Sequence, residues 1–158
     1  MNKLTVLEPP GGSVGTLICE RLHRLKGADC LISASISTSM ENGLDPDLLI
    51  VPNRGEKTQI PQTGSCGVLL IPGAVAAPKG IKAGKVISYG MSGKDSITLS
   101  SIGEVRSMLS LRRDLPTLSG PVLECQELPV MHSSRCAPED TMASAVALLL
   151  LGVPPDML

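Results

Sequence analysis

Four apolar runs, ADCLISAS from Ala28, DLLIVPN from Asp47, CGVLLIPG from Cys66 and GKVISYG from Gly84, show almost no alternation of apolar and polar residues. A strand with one wet face alternates with period two, so unbroken runs belong to strands covered on both faces. Parallel sheets meet that condition, and they need connections of about a dozen residues, the spacing between these runs. The segment KLTVLE from Lys3 adds a fifth strand. The fold expected is α/β: a Rossmann-like, mostly parallel sheet over residues 1–92, antiparallel strands over 93–131, and a buried terminal helix over 138–151. At 158 residues, with no linker or repeat, the chain reads as a single domain, 1–158.

Two helices are legible. From Ser13 to Lys26 the apolar residues Val14, Leu17, Ile18, Leu22 and Leu25 recur every three to four positions. Ser13 suits an N-cap and Gly27 a C-terminal stop, while Glu20, Arg21 and Arg24 fall mainly off the stripe. In APEDTMASAVALLLLG, Pro138 fits the first helical position, Glu139 and Asp140 suit the positive end of the dipole, and Gly152 ends the helix. From Ala143 to Leu151 this helix is apolar nearly all round, so it is buried in its own core or in a partner. Between the helices, DSITLSSI alternates, and VRSMLSLRRDLPTLSGPVLECQELPV reads as antiparallel strands with a turn near Leu118-Ser119-Gly120-Pro121.

Composition narrows the function classes. The chain has no Phe, no Trp and one Tyr (Tyr89), so aliphatic residues and Met must fill the core. A formal charge of −1, scattered basic residues and so few aromatic rings argue against a nucleic-acid partner. No apolar run reaches the ~18–20 residues of a membrane span, and the first residues lack a signal-peptide pattern. The expected location is therefore cytoplasmic, with no membrane partner. Five widely spaced cysteines and two histidines favour neither a disulfide framework nor a metal site. No cofactor is identified.

Four of the apolar runs end in EPPGGS, VPNRG, IPGAVAAP and SYGMSG. On parallel strands these loops leave the same sheet edge, where ligands of open α/β sheets bind. Gly11, Gly12, Ser13, Gly15 and Thr16 are the anion or phosphate candidates, because they open a helix whose N-terminus favours negative charge. The competing view is an ordinary strand-to-helix turn. Glu8, Asn53, Gly73, Tyr89 and Gly90 are the other crevice candidates. The glycines do not fit G-x-G-x-x-G, and neither Gly84-Lys85 nor Gly93-Lys94 completes a phosphate-gripping Gly-Lys-Ser/Thr loop. Glu8 is expected to be solvated at the sheet rim, with acid–base work as its alternative. Cys66 is expected to be a plain strand-start thiol, with a nucleophile paired to His132 as the alternative.

The segment GKVISYGMSGKDSITLSSI, Gly84 to Ile102, resembles part of the Mur ligases, ATP-dependent enzymes that add amino acids to UDP-N-acetylmuramic acid. Val86-Ile87-Ser88-Tyr89-Gly90 and Ile97-Thr98-Leu99 stand where that family has a strand ending in an aromatic-Gly pair, then an outgoing strand. The resemblance implies a reduced relative of their Rossmann-like central domain, without its ATP loop, and it transfers no catalytic residue. Three functions follow. The first is a non-catalytic binding or regulatory protein for a nucleotide or other phosphorylated metabolite. The second is an enzyme using Glu8, Asn53 or Cys66, with murein-precursor metabolism as the setting the resemblance implies. The third is a structural subunit forming a homo-oligomer through the terminal helix or the antiparallel strands.

Overall fold

A computed structural model describes residues 2–9, 12–25, 32–37, 45–132 and 135–158, with 32–37 described by backbone alone. The expected strands are present: β1 (Asn2–Leu7), β2 (Ile32–Ser37), β3 (Leu48–Ile50), β4 (Gly64–Pro72) and β5 (Ile81–Tyr89). They are followed by β6 (Ile97–Ile102), β7 (Arg106–Leu111), β8 (Leu115–Pro116), β9 (Val122–Leu123) and β10 (Gln126–Met131). The helices are α1 (Ser13–Arg24) and α2 (Pro138–Leu150).

Eight strands form one sheet in the order β10-β7-β6-β5-β4-β3-β1-β2, and β8 and β9 form a separate antiparallel pair. All neighbours from β2 to β5 are parallel. The segment expected to be wholly antiparallel begins with a mixed strand. β6 meets β5 in parallel at one pair, Tyr89 and Ile97, and runs antiparallel to β7 on its other side. The Gly93-Lys94 stretch is the turn that leads into β6.

Two of the unbroken runs, β3 and the second half of β4, are covered on both faces, whereas β5 alternates and leaves Val86 46% exposed. Leu48, Ile50, Val68 and Leu70 point to the helices. Leu49, Val51, Leu69 and Ile71 join Leu7 and Cys66 in a second cluster, closed by Val75, Ile81 and Ala83. Tyr89 is buried in the main core, and its hydroxyl donates to the Val51 carbonyl at 2.8 Å.

The sheet curls around α2. That helix packs against α1 and against β3, β5, β6 and β10, strands from both halves of the sheet. α1, which follows β1, reaches across to the far edge: Arg21 Nη2 donates to the Met131 carbonyl at 3.4 Å. Every residue of α2 from Asp140 to Leu150 is buried. Its all-round apolarity is thus used within its own chain. A Schellman turn ends it: Gly152 N–H bonds the Leu149 carbonyl (3.0 Å) and Val153 N–H the Leu148 carbonyl (2.9 Å). Gly152 has φ +90°, which a residue without Cβ adopts at least cost. The turn between β8 and β9 forms where expected, and Leu118 N–H seals the Leu150 carbonyl at 2.8 Å.

Candidate functional site

The loops after β1, β3, β4 and β5 emerge on one edge, as parallel pairing requires. The first surprise is Glu8. Expected at a solvated rim, it is 1% exposed. Its carboxylate accepts the Gly15 N–H at 2.7 Å and the Val14 N–H at 3.4 Å. The chain's own carboxylate therefore fills the N-terminus of α1. A backbone turn after β1 aims the side chain inward, where the positive helix end stabilises a negative charge. Gly12 leaves the room, since a Cβ there would lie 2.3 Å from Glu8 Cδ.

Arg54 completes the arrangement. Its Nη2 lies 3.2 Å from Glu8 Oε2, and its Nη1 lies 2.7 Å from Asp140 Oδ1. Ser13 is the first helical residue, and Gly12 holds the N-cap position without a side-chain cap bond. The hydroxyl of Ser13 instead donates to Asp140 Oδ2 and accepts from Arg54 Nη2. This corrects the expected cap. A tertiary carboxylate from α2 outcompetes the local amide for the hydroxyl. Thr16 Oγ1 turns back to the Gly12 carbonyl at 3.0 Å. Gly11 and the expected stop Gly27 lie outside the described residues.

The remaining crevice candidates gather beside this network. Asn53, Gly73, Tyr89 and Gly90 line a 270 Å³ cleft together with Asp95 and Glu139. Asp95 is 5% exposed and accepts the Ser92 N–H at 3.0 Å. Its carboxylate occupies the space into which a Cβ on Gly73 or Gly90 would project. This cleft carries acid and no cation in its lining.

A larger cleft, 460 Å³, lies on the other side of Ser13, at the seam where α1 meets the end of β10. Gly12, Ser13 and Thr16 form one end of it, and Arg21, Arg24, His132 and Arg135 supply positive and hydrogen-bonding groups. Glu20 is the one carboxylate in the lining. Burial, and then the nearby Arg24 charge, lower the Arg21 pKa from its ordinary value. Among the described residues no carboxylate forms an ion pair with Arg21 or Arg24. His132 Nδ1 pairs with Thr141 Oγ1 at 3.0 Å.

Sequence reasoning missed Arg54, Asp140 as its partner, and this basic cleft. The available signals were thin: Arg54 is the one charge in VPNRG, and Arg21 and Arg24 share the polar side of α1. Cys66 and His132 are not brought together, for Cys66 sits in the second core cluster. Burial, helped by Asp45, pushes the Cys66 thiol up to about 11. Stability linked to this thiol is full below pH 9 and is lost between about pH 9 and 11, because the unfolded chain ionises first. At pH 8, Cys66 in the native protein should react with a thiol reagent roughly a hundredfold more slowly than in the unfolded chain, the ratio expected for a thiol raised from 9.0 to about 11. Equal rates, read by peptide mass mapping, would contradict the buried placement.

The glycine contact gives a second expectation. Gly12→Ala forces the Glu8 carboxylate off two buried amides and should cost about 2 kcal/mol in urea unfolding. A neutral result would show that Glu8 does not fill the helix end.

The sequence matches no protein-family model and no curated protein. Among the described residues no helix is long and apolar enough to cross a membrane, and no cluster of His, Cys, Asp and Glu is arranged to hold a metal ion.

Proposed function

We propose that this chain is a non-catalytic binding protein for a nucleotide or other phosphorylated metabolite, with the phosphate in the cleft between α1 and the end of β10. The observation that carries the reading is the pair Arg21 and Arg24, neither of them ion-paired among the described residues, placed with His132 and Arg135 around a 460 Å³ space. Such a concentration of one sign of charge between protein walls attracts an anion and raises its local concentration. A bound phosphate would relieve the repulsion between the two α1 arginines. The cleft runs from these arginines to Ser13 and Thr16, so the rest of the ligand would point toward the carboxyl end of β1, in keeping with a Rossmann-like use of the sheet edge. The helix N-terminus itself is not the phosphate seat in this reading, because Glu8 holds its amides.

An enzymatic role has less support. Glu8 and Asp140 are committed to Arg54, and Cys66 is a protonated thiol remote from His132. The segment resembling Mur ligases forms β5 and the start of β6, and its Tyr89 is a core residue.

The test is a thermal-shift screen against nucleotides, UDP-sugars, phosphorylated metabolites and plain phosphate, with Arg21→Ala as control. A ligand at 100 times its Kd stabilises by roughly 2.7 kcal/mol, an easily read shift. The reading expects a phosphorylated compound to raise the melting temperature and Arg21→Ala to remove most of that gain. No shift from any phosphorylated compound would overturn it.

A further inference from the structure

Beneath the basic cleft, the same seam encloses a second, smaller space of 40 Å³. The two share Leu17, Arg21, Met131 and Cys136 as walls, so they adjoin at the seam. Two hydroxyls reach the smaller cavity and both are engaged: Thr141 Oγ1 with His132 Nδ1, and Ser144 Oγ donating to the Thr141 carbonyl at 3.1 Å. Most of the rest is aliphatic, with Val130, Ala145, Leu148 and Leu158 on the walls. Leu17, Val130, Met131, Ala145, Leu148 and Leu158 give the cavity a mainly aliphatic wall on which a short hydrocarbon group can pack.

We infer that the ligand is an aliphatic phosphomonoester, its phosphate between Arg21 and Arg24 and its short apolar end in the cavity walled by Val130, Ala145 and Leu148. This rests on the anion reading above and narrows it. A cationic rim over an apolar floor discriminates in two ways. Inorganic phosphate meets the rim alone. A molecule with a short aliphatic end also removes apolar surface from water, and a bulky base or sugar directly on the phosphate does not enter the floor.

Isothermal titration of the wild-type protein with inorganic, methyl, propyl and isobutyl phosphate tests this. Each buried methylene should tighten binding by about fourfold until the cavity is full. In Ala145→Val the ratio of isobutyl to inorganic phosphate affinity should fall to about one. Val130→Ile fills the same space from β10 and keeps the test alive if the first variant does not fold. Phosphate binding with no dependence on chain length would overturn this inference and leave the anion reading standing. No binding by any member of the series would overturn the anion reading and this inference with it.

Discussion

Replacing Arg54 by Met should lower stability by about 3 kcal/mol, at the low end of the usual loss on breaking a buried ion pair because Arg54 keeps 30% exposure. The charges explain the size. Two carboxylates, Glu8 and Asp140, have side chains 0% and 7% exposed. Against them stand one guanidinium and the N-terminal ends of α1 and α2, each worth about half a positive charge. The sum is near zero only while Arg54 is present. Removing it strands two negative charges out of water, where the helix amides alone do not compensate them. For a chain of this size the loss corresponds to a fall of roughly 10 °C in melting temperature. The triple change Arg54→Met, Glu8→Gln, Asp140→Asn should recover much of the loss, because uncharged partners no longer need the guanidinium. A single variant within ~0.5 kcal/mol of wild type would show that the network is incidental.

A larger effect is expected along α2. A helix on the surface of a domain has a wet side, so a lysine scan finds at least one tolerant position. Val146, Ala147, Leu148 and Leu149 are successive positions turned by about 100° each, and together they sample most of the helix circumference. Their exposures are 0%, 0%, 3% and 0%. Lysine at every one of them should cost more than ~4 kcal/mol, since each buries an unpaired ammonium. Urea denaturation of the four variants reads this directly. One neutral variant would mean that α2 has a free side and that the sheet does not close around it. Wild-type melting should also be independent of protein concentration, because α2 has no apolar side left for a partner.

The strands were legible because their cause is local. Apolar runs ended by Gly and Pro mark strands whatever their order, although double cover is seen only in β3 and part of β4, and β5 keeps a wet face. The span of α1 and the ends of α2 were legible for the same reason: periodicity, Pro138 at the start and Gly152 at the end. The curl of the sheet was not. It depends on β10 and α1 meeting at a seam, and the Arg21 contact that marks it joins residues 110 positions apart. Ser13 shows the same limit. Its sequence context is that of a cap, yet its hydroxyl is drawn to Asp140, 127 residues away. The anion candidates Gly12, Ser13 and Thr16 do border a cleft, but the groups that make it basic lie on α1 and after β10. The role of Glu8 is not legible locally, because a carboxylate next to a proline-glycine loop reads as a surface charge. Only the aim of the chain after β1 shows it serving as the ligand of its own helix.

The most direct test of the binding account is amide chemical-shift mapping of the isotope-labelled protein during titration with propyl phosphate. Saturable shifts confined to residues 12–24 and 131–136, weakened about tenfold or more in Arg21→Ala, are the predicted result. Shifts centred instead on Asn53, Gly73 and Gly90, or no saturable shifts at all, would contradict the assignment of the ligand to the seam.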